Sequence, residues 1–160
     1  MDRVPTISSR TRLEEARAQA KPAPSSAPAI RHAMPSLNSP MLTPESARHF
    51  AQQWIAAWNA HDLDAILSHY TDDFEFTSPF IAKLMNTASG TLKSKRNIRP
   101  YWQRALDRFP DLHFTLIDVF TGAASLTIVY HSVQNTRAAE TLFLTPDGKA
   151  HTAAAHYDRV

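Results

Sequence analysis

Residues 50–79, FAQQWIAAWNAHDLDAILSHYTDDFEFTSP, decide the fold. Phe50, Ala51, Trp54 and Trp58, with Ala47 just upstream, recur at helical spacing, so this part is an amphipathic helix that buries one face. Asn59–Asp62 breaks it. Asp62 has the side chain to cap a second, short helix, on which Leu63, Ile66, Leu67 and Tyr70 follow the i, i+3, i+4, i+7 pattern. Phe74, Phe76 and Ser78 then alternate with Glu75 and Thr77, the period of a half-buried strand, and Pro79 ends it.

Working outward, Thr43 is a good N-cap for the first helix, with Pro44 at its first position and Glu45 in its first turn. Downstream, Phe80–Gly90 reads as a loop and Thr91–Lys93 as a short strand. A third helix spans Lys95 to Phe109, with Ile98, Tyr101, Trp102, Ala105, Leu106 and Phe109 on one face, and Pro110 stops it. Leu112–Phe120, Leu126–Val133, Arg137–Leu144 and Ala150–Tyr157 are β-rich or alternating. Turns fall at Thr121–Gly122, Gln134–Asn135 and Pro146–Gly148. Helices first and consecutive strands afterwards predict an α+β domain with helices on one sheet face.

A chain of 160 residues suits one such core. Residues 1–40 hold six of the 11 prolines and the stretch KPAPSSAP (Lys21–Pro28), a composition that builds no core. The expectation is therefore a flexible Pro/Ala/Ser-rich extension over 1–40, dispensable for folding, and a domain over 41–160, with Met41 a candidate start. The same 40 residues carry six of the 17 Lys and Arg but only three of the 15 Asp and Glu. The positive balance belongs to this tail, and the domain is near neutral, so no nucleic-acid partner is expected. Neither a secretory signal nor an apolar run of the ~20 residues that a membrane helix needs is present. With no cysteine, disulfides and thiolate chemistry are excluded, and cytoplasmic residence is the expectation.

Three segments, WIAAWNAHDLDAILSHYTDD (54–73), GTLKSKRNIRPYW (90–102) and AAETLFLTPDGKAHTAAAHY (138–157), in this order and spacing, carry a resemblance. From Thr43 to Asp158 the chain resembles the nuclear transport factor 2-like superfamily, and especially SnoaL-like polyketide cyclases and ketosteroid isomerases. The resemblance implies a cone: a curved antiparallel sheet with three helices packed on its concave face, enclosing a pocket for a small hydrophobic molecule. It also implies a homodimer, and cofactor-independent acid–base chemistry. The ketosteroid isomerases' catalytic Asp falls at Ser78, which has no carboxylate. Their oxyanion-binding Tyr falls at Trp54, which donates only through its indole N–H. Their protonated Asp falls at Glu140, which keeps an acid.

Glu140 stands out from its own strand as well. Leu142 and Leu144 share its parity and read as core-facing. A carboxyl group turned into an apolar interior has its pKa raised by desolvation and can donate a proton or hydrogen bond near neutral pH. The competing reading pairs it with Arg137 or a histidine, or leaves it at the sheet rim. Ala153 and Ala155, at alternate positions of the last strand with His151 and Tyr157, leave room for a cavity if they face inward. Trp54, Phe74, Phe76, Tyr101, Trp102, Tyr130 and Tyr157 supply aromatic lining of the kind that small-molecule pockets use; plain core is the competing role for each.

Seven of the eight histidines follow the tail, and none forms an H-x-H or H-x-x-x-H pair, so no metal site and no cofactor are expected. His49, His61 and His69 read as surface groups, and His131 and His156 as facing away from the pocket. Ile117, Thr127, Val129, His131, Thr141 and Phe143 would share the outer face of the sheet. That face is too apolar for a solvated one, and a second copy would cover it, giving a homodimer. Three functions stay open: a cyclase, isomerase or dehydratase with Glu140 as acid and Trp54 assisting; a non-catalytic small-molecule binder; and a dimerisation adaptor.

Overall fold

The computed structural model describes residues 41–160 apart from Asn86, and the expectations for residues 1–40 lie outside the described residues. Helix α1 (Pro44–Asn59) starts as its sequence dictates. Thr43 Oγ1 accepts from the Ser46 amide at 3.1 Å while Ser46 Oγ accepts from the Thr43 amide at 3.0 Å, a reciprocal capping box. Its apolar stripe buries Ala47, Ala51, Trp54, Ile55 and Trp58. Asp62 caps α2 (Leu63–Ser68), its Oδ1 accepting from the amides of Asp64 and Ala65.

Strand β1 (Tyr70–Thr77) follows at once, and here two expectations change. Tyr70 opens the strand rather than closing the helix, because His69 already caps α2 through its amide. The segment after β1, expected as a loop, begins as a helix, α3 (Pro79–Met85). Pro79 ends the strand and supplies the fixed φ suited to a first helical position. Strand β2 (Thr91–Lys93) and helix α4 (Lys95–Arg108) come next. Then β3 (Thr115–Thr121), β4 (Ser125–His131), a 3-10 turn (Val133–Asn135), β5 (Arg137–Leu144) and β6 (Ala150–Tyr157) complete the fold.

The six strands lie in the order β2-β1-β6-β5-β4-β3. Every neighbouring pair is antiparallel except β1 and β6, which run parallel, with Phe76 opposite Ala153. The fully antiparallel sheet expected from the sequence is therefore corrected to a mixed one. Strands β3 to β6 form a meander whose tight reversals force antiparallel pairing. Between β1 and β6 runs a long connection that imposes no such constraint.

Alternation places Leu126, Ile128 and Tyr130 of β4 and Ala138, Glu140 and Leu142 of β5 on the buried face beneath the helices. Ala153 and Ala155 of β6 join them, but His151 does not. A register shift between Phe143 and Leu144 turns Ala150 inward and leaves His151 exposed, against the parity read from sequence. A second shift, between Leu116 and Asp118, leaves Ile117, Asp118 and Phe120 all exposed. His49 is exposed, as expected; His61 and His69 are half-buried, bonded to the carbonyls of Leu112 and Ala65. Among the described residues no helix is long and apolar enough to cross a membrane.

Candidate functional site

Glu140 is 3 % exposed, in the middle of β5, and the chain around it explains how a carboxyl group is tolerated there. Tyr70 donates its hydroxyl to Oε1 and Tyr130 donates its hydroxyl to Oε2, each at 3.4 Å. Trp54 Nε1 donates in turn to the Tyr70 oxygen at 2.8 Å. With its oxygen accepting from the indole, Tyr70 turns its own proton toward the carboxyl group. Four side chains from α1, β1, β4 and β5 thus form one buried polar string.

Desolvation pushes the Glu140 carboxyl group up from its ordinary 4.5 to about 7, while donation from Tyr130 and Tyr70 pulls the other way. Burial, and then the charge of Glu140, hold the Tyr70 and Tyr130 phenols well above their ordinary range. Tyr157 is raised by burial and by Glu140, with Ser78 opposing. Tyr101 is raised chiefly by burial, again with Ser78 opposing. At neutral pH the phenols are fixed as donors, and Glu140 is the group whose proton is exchangeable.

A cavity of about 360 Å³ opens beside this string. Its wall includes Glu140, Phe76, Tyr101, Trp102, Tyr130 and Tyr157 from the sequence-based set. The other five candidates are placed elsewhere. Trp54, Phe74, Ser78, Ala153 and Ala155 are buried behind the wall as core. Trp54 still bears on the site through Tyr70, and it packs on Tyr130 and Phe114, with ring centroids 5.4 and 5.9 Å away. Ala155 sits directly opposite Glu140 across the β5–β6 pair, and its small side chain leaves the carboxyl group space.

Several wall residues were not picked out by sequence reasoning. Trp58, Leu112 and Phe114 line the cavity, and the end of α1 and the joint that follows it hold two of them in place. Asn59 pairs with the backbone of Phe114 as a strand would, giving Nδ2–H to its carbonyl at 2.9 Å and accepting from its amide at 2.7 Å. His61 Nε2 lies 2.8 Å from the Leu112 carbonyl. Phe80, Lys83 and Leu84 come from α3, the segment expected as a loop; Phe80 packs edge-on against Tyr157 at 4.6 Å. Tyr70 shares the parity of Phe74 and Phe76, but the exposed Asp72 and a register shift between Tyr70 and Glu75 interrupt the alternation that would have pointed to it. His131 and His156 do not line the cavity. No group of three or more His, Asp or Glu among the described residues is placed to hold a metal ion.

In chemical terms the arrangement offers a carboxyl group that keeps its proton up to about pH 7, at the wall of an aromatic cavity, backed by phenols that can donate to its carboxylate once the proton leaves. Known proteins share the frame. A SnoaL-like protein of unknown function from Burkholderia thailandensis E264 is similar at 43 % identity and a TM-score of 0.72, over 74 % of this chain and 98 % of that one. SalBIII, described as an epoxide hydrolase/cyclase-like enzyme in pyran ring formation in the polyether salinomycin, shares the fold at 15 % identity and a TM-score of 0.58, over 72 % of this chain and 92 % of its own. So does a protein of unknown function with a cystatin-like fold from Methylobium petroleophilum PM1, at 16 % identity and a TM-score of 0.60, over 76 % and 81 %. A search of curated proteins finds no match. Residues 51–158 match the SnoaL-like domain, and with that match the chain belongs to the SnoaL-like domain family.

Proposed function

We propose that this chain binds a small, predominantly apolar molecule in the cavity and presents Glu140 to it as a proton or hydrogen-bond donor, in a cofactor-independent reaction of the cyclase, isomerase or dehydratase kind. One observation carries the reading: a buried carboxyl group, raised to about 7, in the wall of an aromatic cavity. Donation to an oxygen that gains charge, such as an epoxide or a carbonyl, is the chemistry such a group performs. The carboxylate left behind is stabilised by the Tyr70 and Tyr130 hydroxyls. The epoxide hydrolase/cyclase-like enzyme SalBIII, on the same fold, supports the reaction class.

A second reading is binding without turnover. It is favoured by Glu140 being the carboxyl group of the wall with no second one among the described lining residues, and by Ser78 being buried core. Incubating the purified chain and its Glu140→Leu variant with a metabolite extract, and identifying retained compounds by mass spectrometry, tests both. A compound held by the native protein and lost by the variant is expected. Its turnover marks an enzyme, and its recovery unchanged marks a binder. A folded native protein that retains nothing would sink the pocket reading.

The proposal includes a homodimer through the outer sheet face. Ile117, Phe120 and Phe143 are 45, 60 and 46 % exposed there, beside Val129 and the Thr127–Thr141 hydroxyl pair. A second copy would remove this apolar patch from water. Light scattering at micromolar concentration should give twice the chain mass; a monomer mass would refute it. A reducing cytoplasm, rich in small metabolites, suits such a cysteine-free chain.

A further inference from the structure

Around the mouth of the cavity the charge is of one sign. Lys83, in the last turn of α3, and Arg108, in the last turn of α4, both line it. Neither has a carboxylate within 4.0 Å among the described residues, as holds also for Arg96, Arg104, Arg137 and Lys149, but Lys83 and Arg108 are the two cations that share the wall of the cavity. A cation in a last helical turn offsets the negative end of that helix. This accounts for a basic residue at either position, but not for two on one opening with no acid between them.

The two helix ends are held near each other, Arg104 Nη1 lying 3.3 Å from Met85 Sδ. Lys83 Nζ stands 5.8 Å from the centroid of the Phe80 ring, itself part of the wall. Deeper in, Trp58 also lines the cavity, and its Nε1 is buried without a hydrogen-bond partner among the described residues. An indole N–H can only donate. An anionic ligand would satisfy the cations at the mouth, and a separate oxygen on its inner part would meet this orphaned donor.

Resting on the pocket reading above, we propose that the ligand is an apolar organic anion: a carboxylate on an aromatic or alicyclic body. Its rings lie against Phe76, Trp102 and Phe114, and its charge sits at the mouth between Lys83 and Arg108. The cations select the charged form and orient it, leaving the far end of the molecule toward Glu140.

The test is calorimetric titration of the full chain with 2-naphthylacetate and with its primary amide, which match in shape and differ in charge. At pH 7.5 the carboxylate should bind roughly tenfold more tightly than the amide, as two partly exposed ion pairs allow. Added salt should erode the difference. In a Lys83→Met/Arg108→Met variant, both changes lying on exposed side chains, the carboxylate should bind no more tightly than the amide. Equal binding of the two probes by the native protein overturns the anion and leaves the pocket standing. A preference that survives the double variant assigns it to other groups and also overturns the proposal. No binding of either probe to the folded protein overturns both readings.

Discussion

Replacing Glu140 by Gln should flatten a fall in stability that the native protein undergoes between pH 4.5 and 7. In the unfolded chain this carboxyl group ionises near its ordinary 4.5; in the folded protein it holds its proton to about 7. Between those values the folded state binds more protons, so stability falls as pH rises. The contribution is fully present below 4.5 and fully lost above about 7. A shift of this size on a fully buried group corresponds to about 3 kcal/mol. Glutamine keeps an acceptor for the Tyr70 and Tyr130 hydroxyls and has nothing to ionise. Urea unfolding at pH 5 and pH 8 should therefore show a drop in the native protein that the variant lacks. The variant should be the more stable of the two at pH 8. Parallel pH profiles would show that Glu140 titrates normally in the fold.

Trp54→Ala should be the most damaging single change to the frame of the site, at about 3–5 kcal/mol. Trp54 is fully buried and packs against Trp58, Phe114 and Tyr130. Its removal empties the space behind the cavity wall and takes away the N–H that turns Tyr70 toward Glu140. Trp54→Phe refills most of the volume without the donor and should cost about 1–3 kcal/mol. Thermal or urea unfolding of both variants measures the two contributions. An alanine variant within 1 kcal/mol of the native protein would mean that the packing described here is not what holds α1 to the sheet.

How much of this was legible in the sequence depends on the range of the cause. Capping is local, and Thr43 and Asp62 could be read as caps because their partners lie two or three residues away. The alternation of β4 and β5 predicted that Glu140 would face inward with Leu142, since a two-residue period fixes the face of every residue in an unbroken strand. Broken strands defeat that rule: the register shift at Phe143–Leu144 turns His151 outward against its parity with Ala153, and the one at Leu116–Asp118 exposes Phe120 as well as Ile117. The parallel β1–β6 pair was hidden because an alternating strand advertises its faces and not its partner.

Pocket membership was legible only in part, for a related reason. Periodicity separates buried from exposed residues, but it cannot divide the buried ones between cavity wall and core. Trp54, Phe74, Ser78, Ala153 and Ala155 are as buried as Phe76 and Trp102, yet they stand behind the wall. The α3 segment was obscured by Pro79, which reads equally as a strand stop and a helix start. The wall residues Leu112 and Phe114 are fixed by Asn59 and His61, more than fifty residues away in sequence, through bonds to backbone that leave no side-chain pattern.

The proposed chemistry needs a carboxyl group at Glu140 that keeps its proton up to about pH 7. Its most direct test is a carbon-13 NMR titration of the glutamate side-chain carboxyl groups, with the Glu140 resonance identified by its absence in Glu140→Gln. The account predicts a midpoint near pH 7, well apart from the exposed glutamates. A midpoint between pH 4 and 5 would mean that Glu140 is ionised at neutral pH, and would contradict its role as a donor.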